Sequence, residues 1–238
     1  MKRHFIIATL LLLAGALNAQ EGVTRLGFNF GFAEPVMYYR ASSGADKLTR
    51  QATDGIKLGV LYETTIIKGF GVTTSLNYGH SAHMGQWTVT PGIASLQTKE
   101  DHNFHLLEIP VDWQYRFLIA KNTYVALYTG PTLQVGLANT FRYRTKLNNE
   151  IIEDKKVDVY KLDEDGDGIP DYNRVNVTWG VGLGLHYKQF FIRGGYDFGI
   201  MSVYKDKYFN TSSDTGWNRR GRMDQWQIKL GIYFWQFE

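Results

Sequence analysis

The chain has 238 residues, with 26 Lys and Arg against 23 Asp and Glu, a formal charge of +3 that gives no reason to expect a nucleic-acid or strongly anionic partner. It contains no Cys, which excludes a disulfide framework and a lipid-modified N-terminal cysteine. Beyond the N-terminus no apolar run approaches eighteen residues, so a helical membrane protein is excluded as well.

Lys2 and Arg3, an apolar stretch over residues 5–17 and the small-residue site Leu17-Asn18-Ala19 read as a Sec signal peptide over residues 1–19. Its removal leaves a single domain over residues 20–238, with 24 basic and 23 acidic residues. Aromatics at 15% and 25 glycines are both high, as expected where rings meet a membrane interface and the chain packs closely.

Period-two alternation then organises the chain into eight strands. The first covers about residues 24–33, with Leu26, Phe28, Phe30 and Phe32 on one face. The second, about residues 55–67, carries Ile56, Leu58, Val60, Tyr62 and Ile66, and Lys68-Gly69 turns it into a third with Phe70, Val72, Leu76 and Tyr78. The fourth opens at Leu107 and continues through Ile109, Val111, Trp113, Tyr115, Phe117 and Ile119; Pro110 inside it predicts a bulge or bend. The fifth holds Val125, Leu127, Leu133, Val135 and Leu137. The sixth is the most regular, with Val175, Val177, Trp179, Val181, Leu183, Leu185 and Tyr187 interleaved with small or polar residues. Lys188-Gln189 leads to the seventh (Phe190, Ile192, Tyr196, Phe198, Ile200), and the eighth carries Trp226, Ile228, Leu230, Ile232 and Phe234.

Connections after strands two, four and six are two to four residues long; those after strands one, three, five and seven run to roughly twenty or thirty. Short periplasmic turns alternating with long external loops are the threading of an outer-membrane barrel. A soluble sandwich has no such rhythm. The expected fold is therefore all-β: an eight-stranded antiparallel up-and-down transmembrane β-barrel, monomeric and surrounded by outer-membrane lipid.

The inward register holds Arg25, Lys57, Glu63, Glu108, Asp112, Arg116, Arg193, Asp197 and Lys229, five basic and four acidic residues. An eight-stranded lumen is only wide enough for side chains, so these charges must pair or be costly to bury. Two readings follow: a gated polar path, or a salt-bridged plug. Near-cancelling charge favours the plug over a porin.

In the third long loop, Asp163, Asp165, Asp167 and Asp171 with the backbone carbonyl of Ile169 match the opening positions of a Ca²⁺ loop, and Gly168 and Gly166 permit its turns. Arg174 stands where an EF-hand has its bidentate Glu, so weak calcium binding is expected. The alternative is a solvated Asp/Gly turn. His80, His83, His102 and His105 flank the second loop, but a spacing of three on a strand sends partners to opposite faces. Nothing fixes a nucleophile, base and orienter together, even with His80 beside Ser81 or His105 near Glu108, so no enzymatic activity is expected. Tyr38, Trp87 and Trp217 fall in predicted loops, the other strand-end aromatics in a girdle.

Four stretches carry a resemblance: Leu107-Glu108-Ile109-Pro110-Val111 with Tyr115-Arg116-Phe117, Gly180-x-Gly182-x-Gly184, Gly194-Gly195-Tyr196-Asp197-Phe198-Gly199, and Ile228 to Phe234. The chain resembles the Bacteroidota outer-membrane β-barrel family often called PorT-like, related in architecture to OmpX and OmpA. The resemblance implies a signal-bearing eight-stranded barrel in the outer membrane, and one departure is that the chain runs past Phe234 to Phe237 and Glu238. It does not imply one activity. The expected role is structural or surface-interactive, with an extracellular or envelope protein as partner. A part in a secretion or gliding apparatus, a small-solute channel and a rim-located lipid-modifying enzyme are the alternatives.

Overall fold

Alternation of apolar and polar residues produces strands throughout the computed structural model, which describes residues 23–39, 49–67, 69–90, 93–163, 168, 170, 172–203 and 221–237. The signal-peptide reading and Trp217 lie outside the described residues. In chain order the strands are β1 (Thr24–Tyr39), β2 (Thr49–Ala52), β3 (Asp54–Ile67), β4 (Phe70–Met84), β5 (Thr88–Thr90), β6 (Ile93–Ala120), β7 (Thr123–Leu147), β8 (Glu150–Asp158), β9 (Val175–Tyr187), β10 (Phe190–Gly199) and β11 (Arg222–Phe237). A single 3-10 turn, Val159–Lys161, follows β8.

Eight of these strands form a closed antiparallel ring in the order β1-β3-β4-β6-β7-β9-β10-β11. β11 returns to β1 in a register running from Thr24 opposite Phe237 to Tyr38 opposite Arg222. Closure leaves no free edge in the ring, so every strand pairs on both sides. The short strands β2, β5 and β8 pair with β1, β6 and β7 beyond the ring.

The outward face is apolar on all eight ring strands. Phe32 is 59% exposed and Leu183 58%, and Phe28, Leu58, Leu76, Ile109, Leu127, Ile192 and Leu230 are exposed like them. A continuous apolar girdle of this size would drive association in water, whereas in a bilayer it is solvated. The inward face reverses the usual rule of burial: Glu63, Asn77, Gln134, Thr178 and Gln225 are fully buried, with Lys57 and Glu108 at 2%.

Three tight turns join β3 to β4, β6 to β7 and β9 to β10 at one end of the barrel. Gly69 takes φ +89°, Asn122 +60° and Lys188 +53°; left-handed backbone suits Gly and Asn far better than Lys. Pro110 interrupts the ladder as expected. Pairing of β6 with β4 skips from Glu108 to Val111, and Thr74 Oγ1 donates to the Pro110 carbonyl at 2.9 Å.

The strands at the opposite end are longer than the alternation predicts, and this corrects the loop assignment. β6 starts at Ile93, not Leu107; β4 reaches Met84, and β7 runs to Leu147 before turning at Asn148 and Asn149 into β8. Tyr38 likewise belongs to β1, opposite Arg222. The reason is physical. Above the lipid, the outward positions of β6 are Lys99, Asp101, Asn103 and His105, paired with Arg144, Arg142, Thr140 and Ala138, so the apolar half of the pattern disappears although the ladder continues.

Candidate functional site

The lumen concentrates the chemistry of this molecule. Its charged side chains divide into two layers, one nearer the tight turns and one nearer the long connections. In the lower layer Glu63 on β3 is the shared acceptor. Arg193 Nη2 from β10 donates to Glu63 Oε2 at 3.0 Å and Tyr233 O–H from β11 donates to the same oxygen at 2.7 Å. Arg116 from β6 pairs with Glu63 Oε1, and Arg25 Nη1 lies 3.5 Å from it. Arg193 Nη2 also reaches Gln114 Oε1 at 2.7 Å and Thr73 Oγ1 at 3.2 Å.

In the upper layer Lys57 pairs with Glu108, and Lys57 Nζ donates to Gln227 Oε1 at 3.3 Å. Amides surround the carboxylates: Gln134 and Gln225 donate to Glu108 Oε1 at 2.9 and 3.2 Å, and Gln227 donates to Asp197 Oδ2 at 2.9 Å. Asn176 extends the chain by donating to Gln134 Oε1 at 2.8 Å. Asp112 and Lys229 are buried alongside. The sequence reading placed nine charges in the inward register; eight of them are buried here, and Arg25 is part-exposed beside Glu63. It missed the glutamines and asparagines, which alternation alone would have marked as inward.

Apolar clusters adjoin these layers. Beside the Glu63 layer Leu61, Phe191 and Tyr233 pack together, with the Phe191 and Tyr233 ring centroids 5.0 Å apart. The Phe191 ring occupies the space that a Cβ on Gly231 would need. At the upper mouth Phe104, Leu106, Tyr160, Val203 and Met223 form a second cluster. Tyr160 arrives on the 3-10 turn, which is capped by Asp158 accepting from the Tyr160 N–H at 3.1 Å. Its hydroxyl sits where a Cβ on Gly136 of β7 would be, and Arg174 lies 4.8 Å from its ring centroid. No periodic signal marks Tyr160 in the sequence, because it belongs to a connection folded back over the mouth.

Beyond the ring, β5 to β8 form a four-stranded blade. Arg142 grips Asp154 through two bonds of 2.7 and 2.5 Å, and hydrogen bonding from that guanidinium holds the Asp154 carboxyl below its ordinary range. Arg144 pairs with Asp101, whose carboxyl lies low because bonds from Arg144 and Lys99 outweigh the opposing effect of burial. Trp87 stacks under Lys146, with Nζ 4.0 Å from the ring centroid.

The four histidines do not converge. His80 and His105 stack at 4.6 Å on the outer face, where His80 Nε2 meets Asn103 Oδ1 at 2.8 Å and His105 Nδ1 meets the Tyr78 hydroxyl at 2.6 Å. His102 faces inward and bonds Asn139 Oδ1 at 2.5 Å; burial holds its pKa below the ordinary value. Among the described residues no three His, Asp or Glu are grouped to hold a metal. Of the calcium loop, Asp165, Asp167, Ile169 and Asp171 lie outside the described residues. Asp163 Oδ2 accepts the Gly168 N–H at 2.8 Å, with Gly168 at φ +81°.

The family model for the outer membrane protein beta-barrel domain matches residues 18–205. The chain belongs to this family. The barrel is accordingly a protein of the cell outer membrane, with lipid around its girdle. Comparison with curated sequences returned no match. Among solved structures the barrel is similar to Ail, the attachment invasion locus protein of Yersinia pestis, crystallised with the heparin analogue sucrose octasulfate: 12% identity, TM-score 0.44, covering 90% of this chain and 100% of that one. It is also similar to Neisserial surface protein A (13%, TM-score 0.40, 90% and 100%) and to the outer membrane protease OmpT of Escherichia coli (10%, TM-score 0.40, 91% and 98%).

Proposed function

We propose that the protein is a closed, monomeric outer-membrane scaffold that presents its β5–β8 blade for contact with an extracellular or envelope protein, without catalysis. The observation that carries this reading is the filled lumen: two interlocked polar layers and the aromatic clusters adjoining them leave the barrel interior to side chains. The blade, by contrast, offers surface. Ile151 and Ile152 on β8 and Val89 on β5 are exposed among paired charges, a mixture typical of interaction surfaces. The test has two arms. Planar-bilayer recording of the purified barrel should give no discrete conductance steps, and replacing residues 150–158 with a short Gly-Ser turn should abolish its envelope contacts while the barrel still folds. Conductance in the intact protein would favour the solute-channel alternative. Contacts that survive blade removal and involve periplasmic proteins would favour the secretion or gliding apparatus implied by the PorT-like, Bacteroidota resemblance.

The scaffold reading includes removal of residues 1–19 as a signal peptide, for which N-terminal sequencing of the membrane-inserted form is the check. It also includes weak calcium binding by Asp163, Asp165, Asp167, Asp171 and the Ile169 carbonyl. The carboxylate spacing and the Gly168-to-Asp163 bond support that site. Calorimetry of the folded barrel should register uptake at millimolar Ca²⁺, and loss of the signal in Asp165→Asn.

A further inference from the structure

Two ring strands carry histidines at one spacing: His80 and His83 on β4, His102 and His105 on β6. The antiparallel register between them is unbroken from Asn77 opposite Glu108 to Met84 opposite Asp101. Equal spacing therefore sets His80 directly across from His105 and His83 directly across from His102. Opposed side chains of an antiparallel pair share a face, with Cβ atoms about 4.5–5.5 Å apart. The gap of three residues within each strand sends one pair outward and the other inward. Histidines that part company along a strand thus meet across the ladder.

The two pairs differ in what their nitrogens can do. In the outer pair the rings stack, 21° from parallel with centroids 4.6 Å apart, so their in-plane lone pairs do not converge on one point. Each of these rings also has a nitrogen engaged, by Asn103 and by Tyr78. In the inner pair, Asn139 Oδ1 can only accept, so its 2.5 Å bond places the His102 proton on Nε2. His102 Nδ1 is left with its lone pair, buried and without a hydrogen-bond partner among the described residues. An imidazole held by its N–H on a carbonyl oxygen, with the other nitrogen bare, is arranged as metal-ligating histidines are. His83, on the same face of β4, is exposed, and an exposed ring turns freely to meet an ion arriving from solvent.

We propose that His83 and His102 bind one divalent transition-metal ion of the Cu²⁺ and Zn²⁺ class, with water in its remaining positions. Imidazole suits these ions, whereas Ca²⁺ and Mg²⁺ take oxygen ligands, so the pair is chemically distinct from the Asp-rich loop. β4 ends at Met84, one residue beyond His83, while β6 continues into the blade. The ion therefore clamps the last rungs that ring and blade share. Because the two imidazoles are brought together only by the folded register, binding stabilises that register by mass action.

The test uses the tag-free, folded protein in detergent, at about pH 7.5, above the histidine pKa, with millimolar Ca²⁺ present to occupy carboxylates. Titrated Cu²⁺ should bind as one ion per chain, and its electron paramagnetic resonance spectrum should show coupling to two imidazole nitrogens. Zn²⁺ should raise the melting temperature by several degrees, saturably. His83→Gln removes an exposed ligand. It should lose the two-nitrogen spectrum and weaken Cu²⁺ uptake by more than the about 10-fold that loss of an outer-shell partner costs. His80→Gln, in the stacked outer pair, should change neither. Coupling to a single nitrogen, melting indifferent to Zn²⁺, uptake unchanged in His83→Gln, or an equal loss in His80→Gln would each overturn the proposal.

Discussion

A carboxylate that pairs with three guanidiniums and accepts from a phenol, as Glu63 does, converts a costly set of cations into a network. Taking away that single acceptor strands all of them in low dielectric. Glu63→Gln keeps the shape and one hydrogen-bonding oxygen but removes the charge, and the expected loss is about 3–5 kcal/mol, the range for breaking a buried ion pair. The exposed Arg142–Asp154 pair is the control: Arg142→Ala should cost far less, because water replaces the partner. Equilibrium urea unfolding in lipid vesicles, with gel migration of unboiled samples as a second readout, measures both. Similar losses for the two variants would mean that the lower layer is solvated. At this scale much was legible. Two-residue spacing alone puts Arg116, Glu108 and Asp112 on one face of β6. Which charge meets which was not legible, since the partners lie on β3, β10 and β11, and register across the sheet depends on irregularities such as the shift between Leu26 and Gly27.

At the scale of elements, β6 and β7 are two structures joined end to end. Below His105 they are membrane strands with an apolar outer face; above it they are a hairpin held by Arg142, Arg144 and Asp101 and by the inward His102. Alternation reports the first part clearly and the second hardly at all, because a strand wet on its outer face lacks the contrast that reveals a period. His102 gives this blade a pH dependence. Burial depresses its pKa in the folded state, so the unfolded blade binds the proton more readily, and protonation favours opening. Its stabilising contribution is therefore complete above the unfolded histidine pKa of about 6.5 and is lost as pH falls below it. The ion-paired Asp101 and Asp154 weaken only under more acidic conditions, below about pH 4, because their pKa values are also lowered. Protection factors for amide exchange over residues 96–106 and 138–147, taken against the intrinsic rate at each pH, should fall between pH 7.5 and 5.5, and His102→Gln should flatten the response. A fall of equal size in that variant would assign the effect to another group.

For the whole molecule, the closed scaffold proposed above has its barriers in series: the Tyr160 cluster at the mouth, the Lys57–Glu108 layer, and the Glu63 layer with the Phe191 cluster packed beside it. Series closure means that opening one layer leaves the resistance of the rest. Tyr160→Ala and Phe191→Ala should each destabilise the barrel by about 3–5 kcal/mol through lost burial and the cavity left behind. Neither should conduct, and neither should the double variant, because side chains of both charged layers still fill the lumen. The thermodynamic costs of the two should add to within about 0.5 kcal/mol, since the clusters lie at opposite ends of the barrel and share no residue. Bilayer recording and urea unfolding of the two single variants and the double variant check both statements together. Discrete steps in the double variant would show that the aromatic clusters, and not the charge network, close this barrel. Additive stability with no steps would place the barrier in the ion-paired layers, where substitutions at Glu63 and Lys57 become the way to open it.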